Sequence, residues 1–178
     1  MRTRSFFVPI LCCLALVTGS AAAEGLLGAS PAKPMEGQPP AAAALPDKAV
    51  EPGSPLAAVK PFYDHIGLEL DPRERNRFID PARSVLDKAD ALEKSGEGDC
   101  LDPNIALDNV VDQQAEIAKS LKMLDAAKND DAKVIVAFVA QGKPHRLEWK
   151  LTKQGGDWKV SDILSVTGEW ALSQYQCE

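Results

Sequence analysis

The chain has 178 residues, with 20 Lys and Arg against 26 Asp and Glu, which gives a formal net charge of −6. This acidity argues against a nucleic-acid partner or an anionic membrane surface, because both attract basic proteins. It suits a basic protein partner, although moderate acidity is also an ordinary means of staying soluble.

Residues 1–23 carry the three parts of a cleavable secretory signal peptide. A basic start, Met1–Arg4, precedes an apolar run, Phe6–Val17, and Ala21 and Ala23 occupy positions −3 and −1 of a cut after Ala23. The alternative is a membrane anchor, but the run is shorter than the ~20 apolar residues that a spanning helix needs. We therefore expect a periplasmic or secreted protein with no stable membrane anchor.

The cysteines divide between the signal and the mature chain. Cys12 and Cys13 lie inside the apolar run and not at the cleavage point, which disfavours lipidation. Cys100 and Cys177 remain, and two cysteines in an oxidising compartment usually form a disulfide. The alternatives are two free thiols, or metal ligands, but neither cysteine has His or Cys neighbours at zinc-like spacing. We predict a Cys100–Cys177 bond and no metal site.

Residues 24–54 are rich in Ala, Pro and Gly and contain almost no aromatic or β-branched side chains. Such a segment cannot bury enough apolar surface to offset its ordering entropy, so it is predicted to be a disordered tether. Residues 55–178 suit one domain in length.

The domain begins with helical patterns. Residues 55–66 place Val59, Phe62, Tyr63 and Ile66 on one helical face, with Ser54 as the cap. Pro61 should either kink this helix or move its true start. Two Asp-Pro pairs, at 71–72 and 80–81, predict further helix starts, and the second leads a helix over 82–94.

Strand patterns follow. Residues 132–140 are predicted to form a strand buried on both faces, and residues 145–152 alternate like a half-buried strand. A third strand is predicted over 158–164, and residues 168–172 are expected to begin a short helix that returns Cys177 to Cys100. Residues 117–126 fit either a helix or the first arm of a hairpin. Helices followed by antiparallel hairpins predict an α+β fold, with the N-terminal helices packed on a curved antiparallel sheet.

Three segments resemble those of a known fold family. They are Phe62-Tyr63 on the opening helix, the late strand from Trp158 to Ile163, and Cys100 to Asn104 ahead of the hairpins. The order resembles the nuclear-transport-factor-two-like, or cystatin-like, α+β cone. Within that superfamily the chain resembles an exported bacterial family, domain of unknown function 3828, over roughly residues 55–170. The resemblance implies a sheet wrapped round a helix with a pocket, but it implies no activity.

Five side chains are candidates for a binding site in this cone. His145 leads the apolar face of its strand and would be a base or ligand at the rim, or else a surface histidine beside a turn. Asp162 would lie on the Trp158 side of a regular strand as a buried general base, or would accept backbone hydrogen bonds or pair with a lysine. Trp149 and Trp158 would line a ligand site or belong to the core. Tyr63 is expected to pack inward.

The sequence contains no nucleophile elbow, P-loop or dinucleotide fingerprint, so no cofactor is predicted. The favoured interpretation is an exported noncatalytic domain that binds a protein partner or a small hydrophobic ligand, for example an inhibitor or immunity protein. The alternative is a small pocket enzyme of the isomerase or hydrolase type that uses Asp162 or His145. Convergence of Asp162, His145 and a tyrosine hydroxyl on one cavity would favour the enzyme. Closure of the cavity by Trp149, Trp158 and Phe138 would favour the binding domain.

Overall fold

The computed structural model describes residues 49–111 and 113–178. The predicted signal peptide and most of the predicted tether lie outside the described residues. Within them, short helices precede a five-stranded antiparallel sheet with the strand order β1-β2-β3-β4-β5. The α+β fold class predicted from the sequence is confirmed.

The opening helix is broken in two, as its proline predicts. Helix α1 spans Pro55–Val59 and helix α2 spans Pro61–Asp64, with Lys60 between them. The side chain of Ser54 accepts a hydrogen bond of 3.1 Å from the backbone N–H of Ala57 and caps α1. Leu56, Val59, Phe62 and Tyr63 are buried, so this short pair of helices contributes one apolar face to the core.

Only one of the two Asp-Pro pairs caps a helix as predicted. Asp71 accepts from the backbone N–H of Arg73 at the start of a 3-10 helix, Pro72–Arg77. Helix α3 spans Ala82–Ser95 and has no side-chain cap, because Asp80 accepts from the hydroxyl of Ser84 instead. The helix ends at Gly96, whose φ of 77° is a left-handed conformation that glycine adopts readily.

The ambiguous region contains both elements that the sequence allowed. Helix α4 spans Gln114–Ser120 and strand β1 follows directly at Lys122–Lys128. The other strands are β2, Asp131–Ala140; β3, Lys143–Gln154; β4, Asp157–Ser165; and β5, Trp170–Ala171. The closing segment predicted as a helix is therefore β5 followed by a 3-10 turn, Leu172–Gln174.

The two faces of the sheet differ in burial. Side chains on the inner face pack against the helices, and the largest of them are fully buried: Val134, Val136, Phe138, Leu147, Trp149, Leu151, Val160 and Ile163. The opposite positions of β2 are exposed or half-buried, so the prediction that this strand is buried on both faces is wrong. The sheet has one covered face because the helices all contribute to a single core.

The Cys100–Cys177 disulfide is present, with the two Cα atoms 5.5 Å apart and a sequence separation of 77. It joins the segment after α3 to the C-terminus. Cys177 is 4% exposed and belongs to the core cluster. The bond therefore holds the last residues of the chain against the body of the domain.

Candidate functional site

A continuous row of aromatic rings occupies the inner face of the sheet. Phe62 contacts both Phe78 and Trp149, at centroid distances of 5.5 and 4.9 Å. Tyr63 contacts Trp149 at 6.1 Å and Phe138 at 6.4 Å. The row fills the space between helices and sheet, because packed rings of this size leave no room for a ligand among them.

The polar groups of Tyr63 and Trp149 form a hydrogen bond with each other inside this row. The indole Nε1–H of Trp149 donates to the Tyr63 hydroxyl over 2.9 Å, and Trp149 is fully buried. Burial raises the pKa of the Tyr63 hydroxyl well above its ordinary value, so the phenol stays protonated. The pair acts as a buried polar contact of the core, in agreement with the core alternative for Trp149 and with the inward packing expected of Tyr63.

His145 lies at the end of the aromatic row. Its ring stacks on Phe138 at 5.3 Å, and its Nδ1 is 2.8 Å from Oδ2 of Asp108. Because a carboxylate only accepts, Nδ1 carries the proton, and among the described residues no hydrogen bond reaches Nε2. The His145 side chain is 16% exposed, so the ring sits at the rim of the inner face.

Asp108 is held from a second side by Trp170. Its Oδ1 accepts from Trp170 Nε1 over 3.0 Å, while its own backbone is left-handed with φ 55°. Gly168 makes this contact possible, since a Cβ at that position would come within 2.9 Å of the Trp170 ring and 3.0 Å of Asp108. A histidine oriented by a fixed carboxylate is the arrangement of a general base or of a rigid polar contact.

Asp162 lies on the opposite face of the sheet from Trp149. The register between β3 and β4 shifts at Lys150 and Leu151: Leu151 pairs with Val160, Lys150 pairs with Asp162, and Ser161 is the extra residue. The expectation that Asp162 shares a face with Trp158 is therefore wrong, because one inserted residue reverses every later side chain.

The Asp162 carboxylate is fully engaged in structural contacts. Oδ1 accepts from the backbone N–H groups of Ile163 and Ser173, each at 3.0 Å, and Oδ2 accepts from the Ser173 hydroxyl at 2.9 Å. The Lys150 ammonium lies 3.7 Å away. Asp162 thus anchors the C-terminal 3-10 turn to β4, and it does not meet His145 or the Tyr63 hydroxyl in a common cavity.

Trp158 lines a surface cleft of about 360 Å³ at the far end of the sheet. Arg77, Glu74 and Lys159 also line this cleft, and the Lys153 ammonium lies 5.7 Å from the Trp158 ring centroid. Tyr63 borders a different cleft, of about 390 Å³, between α2 and α4. Three of the five candidate residues, Tyr63, Trp149 and His145, therefore belong to the aromatic row or lie at its end. Asp162 and Trp158 lie elsewhere, so the five do not form one site.

Two acids with buried side chains, Asp108 and Glu69, were not among the candidates identified from the sequence. Asp108 belongs to an Asp-Asn pair with positive φ, and these are the residue types that adopt that conformation most often, so a turn could have been predicted there. Its partners, His145 and Trp170, are 37 and 62 residues away, and no local pattern indicates them. Glu69 is fully buried and accepts from the backbone N–H of Ala106 over 3.1 Å; burial raises its pKa.

In the part of the chain that the structure describes, no three His, Cys, Asp or Glu side chains are grouped as they would be around a metal ion. A search of the same residues finds no helix with the length and apolar character needed to cross a membrane.

No protein-family model matches this chain, and no curated protein matches it. Among solved structures, the chain is similar to a chain of the type VI native effector–immunity complex Tae3–Tai3 from Ralstonia pickettii. The two share 18% sequence identity with a TM-score of 0.44, over 70% of this chain and 99% of the other.

Proposed function

We propose that the chain is an exported noncatalytic interaction domain whose partner is a protein, and that it acts as an inhibitor or immunity-type factor. The observation that carries the proposal is the filling of the inner face by the aromatic row, which ends at His145. Because aromatic rings occupy the inner face, the outer surface of the domain is the better place for a partner to bind, and a protein is the partner that such a surface suits. The family resemblance to the exported domain of unknown function 3828 is part of the proposal.

Two further observations support the proposal. Asp162, the carboxylate expected in a pocket, is used to anchor the C-terminal turn. The disulfide between Cys100 and Cys177 suits an oxidising compartment, where the predicted signal peptide would deliver the chain. A disulfide-closed domain is preorganised for capturing another exported protein.

The test is capture followed by neutralisation. The mature chain, from Glu24 onward, is exported with an affinity tag, and co-purified proteins are identified and expressed alone in the periplasm. The proposal predicts a captured protein that inhibits growth alone and is harmless when this chain is co-exported. Capture of proteins that are harmless in both settings would contradict an inhibitor or immunity role.

The alternative function, a small enzyme, is favoured only by the Asp108–His145 pair, because a carboxylate on Nδ1 is how a general base is oriented. This candidate predicts a turnover that His145→Gln abolishes while the unfolding temperature stays near that of the wild type. An Asp162→Asn variant distinguishes the two candidate bases, because Asp162 binds the C-terminal turn whereas His145 binds Asp108.

A further inference from the structure

The outer face of the sheet has the anatomy of a protein interface. Alternate residues of β1 to β4 form this face, which we name the outer sheet face. Asp162 apart, none of its side chains is buried, and its half-buried apolar positions are Leu124, Ile135, Ala137, Val139 and Leu164. These five positions do not belong to the core cluster, whereas the inner positions of the same strands do. The C-terminal 3-10 turn packs on this face only where Ser173 contacts Asp162, as far as the described hydrogen bonds show.

Basic side chains surround this apolar centre. Lys133 and Lys150 are cross-strand neighbours, and Arg146 lies two residues before Glu148 on β3. The acid Glu148 is neutralised by Lys133, whose ammonium lies 2.8 Å from its carboxylate. An apolar centre with a charged rim is the composition of the protein-binding surfaces that are known in detail.

The segment that forms strands β1 to β4 has a net charge opposite in sign to that of the segment before it. Residues 122–165 contain eight Lys and Arg against six Asp and Glu, whereas residues 49–121 contain eight against fifteen. The first segment therefore carries two net positive charges and the second seven net negative charges. On the outer sheet face itself, six basic side chains stand against four acidic ones, a net of two positive charges. A weakly basic face on an acidic protein orients an approaching acidic partner toward that face.

A hollow of about 400 Å³ lies at one end of this face. Its floor contains Ala126, and it is lined by three lysines, Lys128, Lys133 and Lys150, and by one acid, Asp131. Two of these lysines also lie beside acids of the same face, Lys133 beside Glu148 and Lys150 beside Asp162. The hollow exists because the side chains that line its floor are small. The shift in register at Ser161 places this residue at the edge of the hollow. The volume is sufficient for one large side chain, and the lysines would favour acidic groups beside it.

We propose that the outer sheet face docks an acidic protein partner, which inserts an apolar or aromatic side chain flanked by Asp or Glu into the hollow. This inference rests on the proposed function, because it assigns the surface used by that interaction domain. Charge complementarity decides the class of partner. A second copy of the chain and an anionic membrane are the alternatives that the experiment separates.

The first experiment uses a defined probe, a copolymer of Glu and Tyr in a ratio of about four to one, titrated against the mature chain. We expect the double variant K128E/K133E to weaken binding about tenfold or more, because it reverses two charges of the rim. The matched control is K88E/K94E, which reverses two exposed lysines on α3. The surface assignment fails if the control weakens binding as much, or if the wild-type chain ignores the copolymer.

A second pair of variants tests the hollow without a change of charge. Ala126→Trp should fill the hollow and weaken copolymer binding about tenfold, whereas Ala91→Trp, at an exposed position of α3, should leave it unchanged. The near-UV circular dichroism and unfolding temperature of each variant are compared with the wild type, so that misfolding is recognised. If a well-folded Ala126→Trp binds as tightly as the wild type, the hollow is not used.

Two outcomes would assign the outer sheet face to another occupant. Sedimentation velocity that shows self-association, abolished by K128E/K133E, would make it a contact between copies. Tight binding to phosphatidylglycerol vesicles with no binding to the copolymer would make it a membrane surface. If a neutralised partner from the capture experiment binds K128E/K133E as tightly as the wild type, the proposed function stands and the surface assignment fails.

Discussion

Removal of the Cys100–Cys177 bond should destabilise the domain strongly. The bond closes a loop of 77 residues, and the loop-entropy relation gives about 15 cal/mol/K for that length, or about 4.5 kcal/mol at 25 °C. This is an upper estimate, because residual structure in the unfolded chain lowers it. The loss is comparable with a large part of the stability of an ordinary domain.

The assay is equilibrium urea unfolding of the oxidised mature chain, the same chain reduced with dithiothreitol, and the variant C100S/C177S. For an unfolding slope of about 2 kcal/mol/M, the midpoint should fall by about 2 M in both altered forms. The reduced wild type is the control for the serine substitutions, since Cys177 is buried and a hydroxyl there adds its own cost.

Midpoints within about 0.5 M of one another in all three forms would refute the reasoning, because the closed loop would then contribute almost nothing. A large loss in the serine variant alone would attribute the effect to a buried hydroxyl and not to the bond.

Four further substitutions each test one contact of the domain. Tyr63→Phe removes the acceptor of the buried Trp149 indole and should lower the free energy of unfolding by about 1–3 kcal/mol in urea titrations; an unchanged midpoint would contradict the buried contact. Glu69 has a raised pKa, so its carboxyl contributes most stability below the ordinary glutamate pKa, and that contribution is lost as pH rises through the folded pKa. Glu69→Gln should therefore raise the free energy of unfolding above the folded pKa and remove the loss of stability between the ordinary glutamate pKa and the folded pKa, and a steeper loss would contradict this sign. Asp162→Ala breaks three hydrogen bonds at the C-terminal turn and should cost about 3 kcal/mol, with no loss indicating that the turn is held otherwise. Gly168→Ala should displace the Trp170 indole and shift its fluorescence, whereas an unaltered spectrum would argue against the close approach.

Much of the fold follows from local chemistry. Pro61 predicted the break between α1 and α2, because proline disrupts a helix that passes through it. The alternation of β3 and the turns at Gln141 and Gly155 predicted the hairpins, since each strand buries one face. The number of cysteines left after the signal predicted the disulfide, which the structure contains.

The features that could not be predicted from the sequence depend on a single inserted residue or on partners that are distant in the chain. The face on which Asp162 lies is decided by one extra residue at Ser161, and alternation over a strand cannot reveal a bulge. Asp108 contacts His145 and Trp170 only after the chain has folded. The spacing of these residues in the sequence therefore does not predict the contact. Helix and strand in residues 117–126 could not be separated, because α4 ends one residue before β1 begins.

The central claim is tested most directly by lysine acylation of the mature chain alone and in complex with the partner identified by capture and neutralisation. Mass spectrometry measures the modification of each lysine in both states. We expect Lys128, Lys133 and Lys150, on the outer sheet face, to become protected, while Lys88 and Lys94 on α3 react as before. Protection of the α3 lysines, with the sheet lysines unchanged, would contradict it.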